Sequence, residues 1–174
     1  MDESTNAAPQ PGNTAGTGQG EMKHEVMGFV ARVEAWLDEY MVTKAPFQIP
    51  MGGKEFLAMV APYLIIVGIV LFVLTLPVLL GFGAMTAGMG MMTGNASWGL
   101  TTLVALVAGV ITAGLEAWAI PGLFKRTQHA WKLVFYATLV SFAGNILAMN
   151  LIGAIIGGVI GWYILFQVKV LYKN

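Results

Sequence analysis

Apolar residues follow three patterns along this chain. Between Glu21 and Met41 they recur at steps of three and four, at Met22, Val26, Phe29, Val33, Trp36 and Tyr40, with Val30, Leu37 and Met41 alongside. That spacing predicts an amphipathic helix. From Phe56 to Leu115 there is no Asp, Glu, Lys, Arg or His, and a second uncharged block runs from Leu133 to Val168, bounded by Lys132 and Lys169. A bilayer core of about 30 Å is crossed by about 20 helical residues, so each block has room for two crossings. The pattern predicts spans at about 56–80, 99–120, 131–147 and 151–168. The Gly/Met-rich stretch 81–98 is expected to be an outer loop, and Met149-Asn150 a turn. A re-entrant hairpin over 133–168 is the competing arrangement. Pro62 and Pro77 fall inside the first span, where a kink is expected.

The expected fold class is therefore an all-α integral membrane protein with four transmembrane helices in two hairpins. Residues 21–54 form a cytoplasmic amphipathic helix and linker ahead of a membrane domain over 55–174. Residues 1–20, "MDESTNAAPQPGNTAGTGQG", are polar and rich in Gly and Pro. They have neither a basic n-region nor an apolar h-region, so they are not a secretory signal, and they lack the apolar surface that offsets ordering entropy. A disordered tail is expected there.

Composition strengthens the membrane assignment and adds an orientation. The chain is 57% apolar and 10% charged, outside the balance of water-soluble domains. Its net charge of zero conceals a division, with eight acids and four bases in residues 1–55 but one acid and five bases in 56–174. With both termini in the cytoplasm, Lys44, Lys54, Lys125, Arg126, Lys132, Lys169 and Lys173 all lie inside, and neither outer loop carries a base. A plasma (inner) membrane location is expected. Trp98 at one interface, with Trp118 and Trp131 at the other, fits aromatic anchoring.

Membrane helices associate largely through close approach at small residues. The fourth span offers a glycine zipper, Gly153, Gly157 and Gly161, with Ala154 and Gly158 beside it. Packing within the chain is one use for that face, and an oligomer interface another. A small face on the second span, Ala105, Gly109, Thr112, Ala113 and Glu116, recurs at helical spacing. An antiparallel third span presents Thr138, Ser141 and Asn145 at the same spacing, so a polar seam is expected between the two.

Glu116 is the only acid after Glu55. An ionised acid at depth is costly, so the carboxyl is expected to be neutral or to meet a donor such as Lys132, Tyr163, Gln167 or Lys169. A structural hydrogen bond or ion and proton handling would each explain it. No second acid is present to form a relay.

Met85, Met89, Met91 and Met92 are soft thioethers of the kind that select Cu(I). In their Met-x-Met and Met-x-x-x-Met spacings, beside a glycine-spaced helix, they resemble the high-affinity copper transporters, which implies copper passage. The chain departs from that family in having four spans instead of three and no Cys/His tail. The alternative is thioethers filling gaps in a Gly-rich loop. Cysteine is absent, and His24 and His129 stand in polar surroundings, so no metal centre or cofactor is expected. Asn95-Ala96-Ser97 is a glycosylation triplet.

No nucleophile, base and orienting group can be assembled, so no catalytic residue and no enzyme activity are expected. Nor is there a nucleic-acid stripe or phosphate loop. The acidic outer face of the N-terminal helix favours a protein partner, met through Phe29, Val33 and Trp36, or the underside of the bundle itself. The expected function is a non-enzymatic scaffold or assembly subunit in the bilayer, as a homo-oligomer or with a membrane-complex partner. The alternative is a small oligomeric ion, proton or copper transporter or channel using Glu116.

Overall fold

A computed structural model describes residues 17–45, 47–95 and 97–173. Most of the polar N-terminal stretch and the side chain of Trp98 lie outside the described residues. The regular elements among the described residues are all helices: α1 (Thr17–Asp38), α2 (Met51–Thr93), α3 (Ser97–Phe124), α4 (Gln128–Leu147) and α5 (Leu151–Val168). A π-helical turn, Glu39–Thr43, ends α1, and a 3-10 turn, Lys169–Leu171, ends α5. Among the described residues, four helices are long and apolar enough to cross a membrane. These four helices indicate a multi-pass membrane protein.

Of the stretch 1–20 expected to be a disordered tail, residues 17–20 belong to α1, and residues 1–16 lie outside the described residues. A larger departure concerns the outer loop. The Gly/Met stretch expected to be irregular continues α2 as far as Thr93, giving a 43-residue helix that runs unbroken through Pro62 and Pro77. At about 1.5 Å per residue it is about 64 Å long, twice the bilayer core. Close packing accompanies the helix at one of these glycines. A Cβ on Gly83 would come 3.0 Å from Thr102, and Gly99 of α3 sits against Ala87. Two helices can approach this closely only at small residues. The hydroxyls of Thr86 and Thr102 also meet across the pair at 3.3 Å. α2 stops where the backbone turns left-handed, at Gly94 with φ 71°.

Contacts along the chain run in opposite directions: Tyr63 meets Phe124, Phe72 meets Gly109, and Gly83 meets Thr102. α3 packs against both α2 and α4, and α4 against α5, whereas α2 and α5 touch sparsely. The closest approach joins α3 and α4, where a Cβ on Gly144 would lie 2.4 Å from the Cβ of Ala108. The turn between α4 and α5 places Met149 at φ 59° and uses Asn150 as N-cap, its side chain accepting from the Gly153 amide at 3.1 Å.

The core gathers where α4 begins and α5 ends. Trp131 and Phe135 stack with centroids 5.6 Å apart, and Phe166 stands edge-on to both. Trp131, expected as an interfacial anchor, is instead 2% exposed, and its indole N–H donates to the Leu165 carbonyl at 2.9 Å. Trp118, by contrast, is 77% exposed.

α1 docks on this aromatic end. Val30, Val33, Leu37 and Met41 turn inward, with Leu37 fully buried. The face that packs is thus rotated from the predicted stripe, and Met22, Val26, Phe29, Trp36 and Tyr40 stay exposed. Polar contacts fasten the same junction. Lys169 reaches Glu34 at 3.1 Å and Asp38 at 3.4 Å, and Gln167 donates to the Met41 carbonyl at 2.9 Å. Tyr163 donates to the Phe47 carbonyl.

Candidate functional site

Thr112 and Glu116 stand one turn apart on α3, so both point to the same side of that helix. Thr138, Ser141 and Asn145 do the same on α4. α5 brings Gly153, Ala154, Gly157 and Gly158 opposite, and together these residues line a cleft of about 130 Å³. Every residue of the sequence-predicted intramembrane polar site therefore borders a single recess.

Hydrogen bonds fix most of this lining. Thr112 donates to the Ala137 carbonyl at 3.4 Å, linking α3 to α4. The Thr138 hydroxyl donates to Phe135 O at 2.7 Å within its own helix and accepts from the Trp162 indole at 3.2 Å, linking α4 to α5. The Asn145 amide donates to Ser141 O at 2.8 Å, and its oxygen accepts from Asn150 at 2.9 Å. Hydroxyls and amides thus fix the rotation of three helices. Each such bond is worth about 0.6 to 2 kcal/mol in a bilayer.

Glu116 differs from its neighbours. It has neither a hydrogen-bond nor an ion-pair partner among the described residues. Three of the donors expected for it are used elsewhere: Lys169 on Glu34 and Asp38, Gln167 on Met41, and Tyr163 on Phe47. The fourth, Lys132, is exposed at the start of α4 and faces a different recess. Docking of α1 explains this outcome, because it draws the polar end of α5 away from the bundle interior.

The Glu116 recess has two neighbours. One, of about 210 Å³, is walled by Gly68, Ile69 and Phe72 of α2 and shares Thr112, Glu116 and Ser141. The other, of about 410 Å³, shares Ser141 and Asn145 and reaches Thr101, Thr102 and Asn150. Glu116 and Ser141 therefore border recesses toward both α2 and α5, the two helices that touch sparsely.

The small residues split into packed and open sets. Gly109 seats Phe72, whose ring would lie 2.8 Å from an added Cβ, and Gly158 likewise seats Phe142. Gly157 and Gly161 have open space where a Cβ would be, and a Cβ on Gly153 would meet only the nearby Asn150 side chain. Packing within the chain thus uses Ala154 and Gly158, beside the Gly153, Gly157 and Gly161 face, more than that face itself. Sequence could not distinguish the two, since adjacent small residues differ by only about 100° around a helix.

The remaining expected site residues do not join this cleft. Met85, Met89, Met91 and Met92 are exposed on the last turns of α2. Of the face assigned to a partner helix, Phe29 and Trp36 are 66% and 55% exposed, while Val33 packs on the core. Comparison with protein-family models, with curated proteins and with solved structures finds no match for this chain.

Proposed function

We propose that the protein is a non-enzymatic membrane scaffold or assembly subunit that receives a partner's transmembrane helix along the Glu116 cleft. In this reading α2 with α3, and α4 with α5, form two membrane hairpins, and both termini lie in the cytoplasm of a plasma (inner) membrane. The distribution of bases supports that orientation. The observation that carries the proposal is the partnerless carboxyl of Glu116, in a cleft that the open glycine Gly157 also lines. A carboxyl at membrane depth needs a donor, and an open glycine face lets a second backbone come close enough to bring one. Exposed Phe29 and Trp36 on α1 provide a further contact for the same partner on the cytoplasmic side.

A second reading, transport of a cation or proton, is favoured by one observation. Ser141 and Asn145 connect the Glu116 recess to another that reaches Asn150 and Thr101. Glu116→Gln separates the two functions. For a scaffold, the variant purified from its own membranes has a smaller native mass because the partner is lost, and vesicles containing the wild-type protein pass no cations or protons. Flux through wild-type vesicles that disappears in Glu116→Gln, with native mass unchanged, overturns the scaffold in favour of transport.

A further inference from the structure

The second uncharged block is bounded by Lys132 and Lys169, and the two lysines meet at one end of the bundle. There the start of α4, the segment after α5 and one turn of α1 enclose a cleft of about 410 Å³. Its lining includes Glu34, Trp131, Lys132, Lys169, Tyr172 and Lys173. Three lysines thus line one recess whose lining has a single acidic residue, Glu34. Lys169 is already engaged, held by Glu34 and Asp38 and lying 4.8 Å from the Trp131 ring centroid. Lys132 and Lys173 have no ion-pair partner among the described residues. Even with Asp38 counted, the recess keeps one surplus positive charge.

The backbone adds to this field. α4 begins here, and Thr127 caps only the Ala130 amide, so the positive end of the helix dipole faces the same region. Arg126, just before the cap, also acts electrostatically on Tyr172. Trp131 and Val170 add apolar lining beside the lysines. A recess lined by both cations and an indole, where apolar helix gives way to lysine, suits an amphiphile more than a soluble anion.

We infer that this cleft binds the headgroup phosphate of an anionic phospholipid, with Lys132 and Lys173 as its cationic ligands. The inference rests on the membrane placement proposed above but not on the scaffold function. Carbonate extraction of cell membranes tests that placement separately, since a spanning protein stays in the pellet whether or not it binds such a lipid.

The test uses the full chain in neutral detergent and follows thermal unfolding during titration with dioctanoyl phosphatidylglycerol, dioctanoyl phosphatidylcholine or inorganic phosphate. The expected result is stabilisation by phosphatidylglycerol alone. Apparent affinity falls about fivefold for Lys132→Gln or Lys173→Gln and about 25-fold for the pair. The paired arginine replacements keep the effect, which separates loss of charge from loss of fold, and Lys54→Gln, outside the recess, changes nothing. Equal stabilisation by phosphatidylcholine overturns the inference, and so does an undiminished response in the double glutamine variant. Stabilisation by inorganic phosphate at the same concentrations would reassign the cleft to a soluble anion.

Discussion

Gly144→Ala tests the contact that sets the register of α3 against α4, and so the alignment of Thr112 and Glu116 with Ser141 and Asn145. The added Cβ would lie 2.4 Å from the Cβ of Ala108, where carbon atoms normally sit about 3.5 to 4.0 Å apart. The helices must therefore separate by about 1 Å at this point. The Thr112 to Ala137 bond, already 3.4 Å long, would not survive that movement. Overpacking of this kind costs about 1 to 3 kcal/mol, while alanine returns up to about 1 kcal/mol of helix propensity. We expect a net loss of about 1 kcal/mol or more, read as a lower midpoint of unfolding in mixed micelles. Ala108→Gly restores the space, so the pair should show a coupling energy of about 1 to 2 kcal/mol in a double-mutant cycle. Additivity within about 0.5 kcal/mol would refute the reasoning, since it would mean that the two positions do not touch.

Two further predictions concern the docked end. Trp131→Phe keeps the aromatic cluster but removes the indole donor from the Leu165 carbonyl, a buried acceptor at the end of α5. It should lower stability by about 1 to 3 kcal/mol, whereas Trp118→Phe on the exposed surface should leave the unfolding midpoint unchanged. Burial raises the Tyr172 hydroxyl above its usual value of 10.0, with Arg126 partly opposing the shift. A folded-state pKa above the unfolded one leaves stability intact below pH 10 and erodes it as pH rises through the raised value. Unfolding midpoints from pH 8 to 12 should therefore fall less steeply in Tyr172→Phe than in the wild-type protein, and parallel profiles would contradict the burial argument.

Different physical signals made parts of this molecule legible from sequence. The four long apolar helices are visible in the uncharged blocks and their lengths. Asn150 marks the start of α5 because a short polar side chain interrupts the apolar run and caps the next helix. The polar residues of the Glu116 cleft could be grouped because Thr112 with Glu116, and Thr138 with Ser141 and Asn145, keep helical spacing. The length of α2 was hidden, since glycine suggests a break and the close contacts of Gly83 with Thr102 and of Ala87 with Gly99 depend on where α3 packs. The partners of Lys169, Gln167 and Tyr163 were hidden too. They depend on where α1 docks, and its broad apolar stripe left that rotation open.

The central claim is that the open side of α5 beside Glu116 meets another helix. The chain has no native cysteine, so a single Gly157→Cys provides a clean probe in native membranes. Labelling with a maleimide-benzophenone, whose ketone inserts into a neighbouring C–H bond on illumination, followed by mass measurement, should give one discrete larger adduct, and adding Glu116→Gln should abolish it. The account is contradicted if position 157 gives no more adduct than a cysteine at the outward-facing position 118, or if the adduct persists unchanged when the carboxyl is removed.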